Sequence, residues 1–563
     1  MKRIAPFSFA LVALVALGLQ PAGAQGVSTF LSTQENVRHL TTVAGNTGGH
    51  VVVEGNRLYM GNYGTGLSAY DITNPRAPVK IGQYLPGPSN TDGADPGVRA
   101  DAPPDAAVWD GRHIVSLGGT NRVANRIQTE FIDFTDPANP VLLHRMLGGN
   151  DRESHNGDIV DARKLWLPSG GSANNGLRIY DLSPLLESPP AAPQMLFSAN
   201  PHTLWLGSQY KEHYEKTSGG SFNHTHDIEV YTDREILLPE WEWVDQDDDG
   251  EPDPTYGLRD IALLAAAGGG NASGAVYTID ITDPTAPVVI SKWQNPSGSG
   301  NTPISYLHEV QFLDGDPGTM FVADENLAAG CNAGRVYTVN VSEDLVHTQK
   351  LAEWAIGSGY QDTPACAGAH VFSSKDRHVF MGAYVAGLQV IDMRDPAAPK
   401  RAGRYIAEGM NSWGALAAKG LVYTGDFGGR GLDVFEFIPD PIARGLVKVS
   451  NPGTRTTGGV AETGCRQADP YGPTNETDGL IVDIPEYARD GTWIMKAWGS
   501  SQAAYDLDIW FHLGPNCSSM GYAGGNDSTD AIEPIPEGAE MASIDLYLGA
   551  TQWVYVTVMP SGS

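Results

Sequence analysis

Residues 50–84 read HVVVEGNRLYMGNYGTGLSAYDITNPRAPVKIGQY, four short apolar runs separated by Gly, Asn and Pro. Alternating β-branched and aromatic residues between such turn formers predict a four-stranded antiparallel unit. A lone sheet of this kind has two faces to bury and two open edges. The unit recurs along the chain, and recurrence at this period points to a ring of sheets in which each blade covers its neighbour.

Six further units follow. The second begins near Asp105, the third at His155, the fourth at His224-Thr225-His226, the fifth at His308, the sixth at His370 and the seventh near Trp413. The seventh stops one strand short, and Glu35 to Val43, ENVRHLTTV, resembles the missing outer strand. Its insertion there would close the ring and leave no unpaired edge. The expectation is a seven-bladed β-propeller over residues 25–440, in an all-β chain with little helix beyond one turn at Leu182–Leu186.

The third strands end in Asp and run into a Pro-containing turn: GLSAYDITNPRAP, TEFIDFTDPANP, AVYTIDITDPTAP and GLQVIDMRDPAAP. The Asp carboxylate can accept nearby backbone N–H groups, and the prolines stiffen the turn into the outer strand. This signature resembles the LVIVD-repeat proteins, secreted bacterial propellers, over about residues 35–437. The resemblance implies the fold and leaves the function open.

Residues 1–24 have the form of an export signal: Lys2 and Arg3, an apolar run shorter than a membrane span, then Ala22-Gly23-Ala24. The mature chain is expected to be secreted or periplasmic, monomeric and without a membrane span. Four cysteines suit two disulfides in an oxidising compartment, paired within regions as Cys331–Cys366 and Cys465–Cys517. Removing the signal takes the formal charge from −30 to −32, which argues against nucleic acid or an anionic membrane as partner.

Residues 441–459 read as a linker, and residues 460–563 alternate as GLIVDIPE, GTWIMKAWGS, YDLDIWFHLGP, ASIDLYLG and QWVYVTVMP, without the Asp-Pro turn. A small, jelly-roll-like β-sandwich is predicted. YDLDIWFHL and QWVYVTV resemble the pre-peptidase C-terminal domain of secreted bacterial proteins.

Two groups of residues bear on chemistry. His50, His155, His226, His308 and His370 hold matching places at the start of the innermost strand, where Asp105 and Trp413 stand in the other two blades. Equivalent positions in a ring converge on the central channel, and imidazole is both the commonest metal ligand and a side chain that titrates near neutrality. Two nitrogens on one zinc ion at about 2.1 Å lie within roughly 3.5 Å of each other, so one ion cannot collect all five. The competing reading is structural, with each imidazole bonding the neighbouring blade. An all-imidazole site suits zinc or copper among others, and a distant similarity to selenium-binding-type propellers, whose channel histidines hold copper, implies an oxidase-like metalloenzyme as the alternative to a binding or scaffold protein. The second group is Asp245, Asp247, Asp249 and Asp253, with Gly250 at the sixth position of DQDDDGEPD, the first part of a calcium loop. Position twelve is Tyr256 rather than Glu, and either REILLPE or RDIALLAAAG could be that blade's second strand.

Asp92, Asp95 and Asp101 in the loop before the second blade, and Arg122 and Arg126, are weaker candidates for a channel mouth. Ser154 and Ser221 stand near histidines, but no GxSxG elbow is present. The sequence therefore predicts a secreted propeller that recognises an extracellular protein, glycan or small ligand through its channel mouth.

Overall fold

The computed structural model describes residues 33–560 apart from short loop segments and the longer stretches 86–104, 148–156, 170–175, 215–223, 268–273, 296–305, 326–333, 356–367, 448–478, 485–492, 500–505, 514–518 and 524–529. The signal segment, all four cysteines, His155, Asp247, Asp92, Asp95, Asp101, Arg122, Ser154 and Ser221 lie outside the described residues.

The chain forms a seven-bladed β-propeller. Its innermost strands are Gly48–Glu54, Asp105–Trp109, Gly157–Val160, His224–Leu237, Leu307–Leu313, Phe372–Lys375 and Ser412–Ala418, each followed outward by antiparallel neighbours. Every junction between successive blades has its own apolar cluster, from Tyr59, Leu67, Val115 and Phe134 between blades one and two to Val51, Met60, Tyr423 and Leu432 between seven and one. Each such side chain, taken fully out of water, is worth about 1.5–3 kcal/mol. The core is therefore divided among the junctions, and each blade needs its neighbours.

The Asp-Pro turns do what their sequence predicts. Asp71, Asp133, Asp280 and Asp392 accept the backbone N–H two residues on, at 2.7–2.9 Å. Asn74, Asp136, Asp283 and Asp395 repeat the device at 2.9–3.2 Å. The turns also wedge between blades: a Cβ on Gly82 of blade one would lie 1.8 Å from the carbonyl oxygen of Pro137 in blade two, so only glycine fits.

The N-terminal segment closes the ring in two steps. Val37–Ala44 pairs with Gly431–Phe437 and completes blade seven, as expected. In addition, Thr33–Glu35 pairs with Lys400–Ile406 and gives blade six a fifth strand. Asn36, at φ 51°, makes the switch between the two sheets, and its side-chain amide donates to the Ala402 carbonyl at 2.7 Å. Glu35 meets Arg401 at 3.1 Å, while His39 reaches the buried Asp433 at 2.9 Å.

In blade four the second strand is Tyr256–Ala267, so RDIALLAAAG is the strand, and REIL extends the first strand to Leu237. The Asp-rich insertion is therefore the tip of this hairpin, at the end of the blade opposite His226. Two short helices, Pro201–Leu206 and Gln209–Tyr214, follow blade three; the first is capped by Asn200, whose side chain accepts the N–H groups of His202 and Thr203.

Beyond the propeller, two four-stranded antiparallel sheets are present. One orders Ala443–Val447, Gln552–Pro560, Trp493–Gly499 and Asp530–Pro534; the other orders Gly479–Asp483, Ala539–Leu548, Asp506–Leu513 and Ser519–Ala523. Ala443–Val447 falls in the stretch read as linker. The buried Lys496 bonds Glu436 of blade seven at 2.6 Å, and Glu436 also holds Arg76 of blade one at 3.1 Å.

Candidate functional site

The site is built on irregularities in the innermost strands. Ladder pairing skips between Thr225 and Asp227, between Leu307 and Glu309, between Ser412 and Gly414, and between Gly48 and Val51. His226, His308 and Trp413 are the skipped residues, and His50 lies within the fourth irregularity. In a regular strand, neighbours point to opposite faces; a bulge re-aims one of them. Here it lets a histidine and the acid that follows it face the same channel.

His226, His308 and His370, from three successive blades, form an arc with ring centroids 4.0 Å apart at each step. Trp413 continues it, 4.5 Å from His370. His226 Nδ1 donates to the carbonyl oxygen of His308 at 3.1 Å, and His370 Nδ1 donates to that of Trp413 at 2.5 Å. A carbonyl can only accept, so both rings carry a proton on Nδ1, and in the neutral form Nε2 is the nitrogen with the lone pair. Such a bond is also what orients a metal-ligating imidazole.

Ligand atoms of His226, His308 and Glu325 all lie within 4.8 Å of one another. All three residues are buried. His370 Nε2 stands 3.9 Å from Glu325 Oε1. An ion at about 2.1 Å from each of three tetrahedrally arranged ligands would place them roughly 3.4 Å apart, so modest side-chain adjustment closes the set. Two or three nitrogens with one carboxylate suit zinc, copper, nickel or iron(II).

Glu325 directly follows the second strand of blade five, Asp316–Asp324, and is bonded by the Tyr384 hydroxyl of blade six. Burial pushes its carboxyl up to about 7, with the Tyr384 bond opposing and the charge of Asp324 adding to the rise. Tyr384 is held at φ 51°, a left-handed conformation uncommon for a bulky residue, by reciprocal backbone bonds of 2.9 Å with Ser412.

A second group of ligand atoms, from Asp227, His308 and Glu309, also lies within 4.8 Å. Glu309 accepts from Phe372 N of the next blade at 3.0 Å and from Gln311 Nε2 at 2.8 Å. Further round, Asp158 accepts from Val230 N at 2.6 Å and Asp105 accepts from Ala106 N at 2.8 Å and from Ile159 N. Burial raises the carboxyls of Asp105, Asp158, Glu229 and Glu309 above the usual range, and the charges of neighbouring carboxylates add to it.

Of the residues expected to line the channel, the structure thus gathers His226, His308 and His370. His50 packs against the inner strand of blade seven, where a Cβ on Gly414 would touch its Cδ2 at 3.0 Å, and burial lowers its imidazole to about 4. Asp105 is engaged with blade three and belongs to neither ligand group. Glu325, Asp227, Glu309 and Tyr384 were not expected; the His226-Asp227 and His308-Glu309 dipeptides were the local signal for two of them. At the opposite end of blade four, Asp249 accepts from Glu251 N at 2.9 Å, Asp253 accepts from Gln246 N at 2.8 Å, and a Val244–Asp253 bridge closes the loop.

Fold and site together define a seven-bladed propeller with an imidazole–carboxylate cluster at one mouth of its channel. The family model for the LVIVD repeat matches residues 44–85, the closing end of the N-terminal strand and the whole of blade one. No curated protein matches the sequence. Among solved structures, the computationally designed Ika8 protein is similar at 11% identity and TM-score 0.37, over 71% of this chain and 99% of its own. Sqt1 of Saccharomyces cerevisiae is similar at 9% identity and TM-score 0.35, over 69% of this chain and 82% of its own. The exo-beta-1,3-galactanase of Phanerochaete chrysosporium, solved with galactose, is similar at 10% identity and TM-score 0.26, over 92% and 96%.

Proposed function

We propose that this chain is a secreted binding protein whose propeller carries a divalent transition metal, zinc or copper, at the channel mouth and recognises an extracellular protein, glycan or small ligand there. The observation that carries the reading is the convergence of His226, His308 and Glu325 within 4.8 Å, with His370 beside them. The orienting Nδ1 bonds support it, since such a bond fixes the ring and makes Nε2 the ligand nitrogen in the neutral imidazole. They equally serve the scaffold, so the two roles coexist in the same rings. The signal-like N-terminus supports secretion, and the alternating C-terminal strands support a pre-peptidase-like accessory module.

Metal analysis of purified full-length protein, alongside His308→Ala and Glu325→Gln, tests the metal. Stoichiometric zinc or copper that both variants lose supports the reading. A folded protein that takes up neither ion leaves a scaffold alone.

A further inference from the structure

His308 belongs to two ligand groups that otherwise share no residue, His226–His308–Glu325 and Asp227–His308–Glu309. We propose that the channel holds two divalent cations, with the His308 imidazole bridging them; this rests on the reading that the channel binds metal at all.

Geometry carries the inference. An imidazole has one nitrogen toward each side of the ring, so it can serve two ions where most side chains serve one. With metal–nitrogen bonds of about 2.1 Å on both sides, bridged ions stand roughly 6 Å apart. Each ion then has its own remaining ligands. His226 Nε2 and Glu325 hold one, with His370 Nε2 in reach; Asp227 and Glu309 hold the other. The bulges at His226 and His308 make the second set possible, because they turn Asp227 and Glu309 into the space that their histidines already face. Neither triad is a surface accident: His308 and Glu309 are buried, and the Phe372 N–H and the Gln311 amide fix the Glu309 carboxylate. The two sets also differ in chemistry. The first offers two or three nitrogens and one oxygen, the second one nitrogen and two oxygens, so copper should favour the first and zinc or manganese should tolerate the second. Bridging requires neutral His308 to lose its remaining ring proton, which leaves to solvent as the second ion binds.

The test uses metal-stripped full-length protein with excess calcium present, so that the Asp-rich hairpin takes no transition metal. Titration with Zn²⁺, followed by calorimetry and metal analysis, should saturate at two equivalents. Glu325→Gln should lower this to one, Glu309→Gln should also lower it to one, and Asp227→Asn repeats the second test should Glu309→Gln fail to fold, as judged by circular dichroism. With Cu²⁺, the first equivalent should give an ordinary isolated-copper resonance and the second should diminish it by exchange through the bridge. Saturation at one equivalent that Glu325→Gln and Glu309→Gln each abolish would mean one shared ion and overturn the bridge while sparing the metal reading. Two equivalents retained in both Glu309→Gln and Asp227→Asn would likewise overturn it. No binding of either ion overturns the metal reading and the bridge together.

Discussion

The Nδ1–H of His370 donates to the carbonyl oxygen of Trp413, the residue at the equivalent position in the next blade, across 2.5 Å. One ring thus ties two blades together through one nitrogen while turning the other toward Glu325.

These two roles separate by substitution. The side-chain amide of Asn overlays the Nδ1 side of His, so His370→Asn and His226→Asn keep the interblade donor and lose Nε2. They should melt close to the parent and bind transition metal more weakly. His370→Ala should lose both, at about 1–3 kcal/mol of stability, since a buried carbonyl is left without its donor. Chemical denaturation read against zinc affinity checks this; an Asn variant as destabilised as the Ala variant would remove the interblade bond from the account.

Acid should stabilise the metal-free protein. Burial above all raises the carboxyls of Asp105 and Asp158, with the charge of Asp161 adding for Asp105 and those of Asp105 and Glu229 adding for Asp158, whereas in the unfolded chain they titrate near pH 4. Between those values the folded state holds protons that the unfolded state has released, so stability falls as pH rises from about 4 through the raised range and then levels. Carboxyls shifted the other way, such as Asp392 beside Arg394, act only below pH 4 or so, while His50, lowered to about 4 by burial, opposes the trend up to about pH 6.5 and is outweighed by the four raised carboxyls. The thermal midpoint should therefore be higher at pH 5 than at pH 8, and Asp158→Asn should shrink the difference. A midpoint that rises toward pH 8 contradicts the assignment.

His226, His308 and His370 were legible in the sequence because repetition marks them, and so were the blades, the Asp-Pro turns and the missing outer strand of the seventh blade. The acids were not. Strict alternation places Asp227 and Glu309 on the face opposite His226 and His308, and only a bulge brings them round; the repeated His-acid dipeptide marks the positions but not the bulge. Glu325 reaches the site from the end of a second strand, and Tyr384 reaches it from another blade, so neither has a sequence neighbour to announce it. The fifth strand of blade six was hidden for a similar reason: Thr33–Glu35 is too short for a period to show.

Deleting residues 33–44 should open an edge on blade six and another on blade seven. Light scattering should show concentration-dependent aggregation together with a lower midpoint. A truncated chain that stays monomeric and as stable as its parent would mean that the ring is closed by other contacts.

The Asp-rich hairpin provides an independent test of calcium. Ligand bound only to the folded state adds roughly 2.7 kcal/mol at a hundredfold excess over Kd. Millimolar calcium should raise the midpoint and protect the 245–253 loop from protease, and Asp247→Ala should remove both effects without touching the channel. Indifference to chelator would make the loop an acidic turn held by its own backbone bonds.

The N-terminal segment has a further consequence, one of timing. Val37 pairs with Phe437, 400 positions later in the chain. At roughly 5–20 residues per second of synthesis, the strand that seals the ring is made about 20–80 seconds before its partner exists. For that interval an apolar strand and six growing blades wait with edges open, and no local contact can shorten the delay. The ring's last bond is thus also its slowest, and whatever shelters the nascent chain has to shelter its first strand longest.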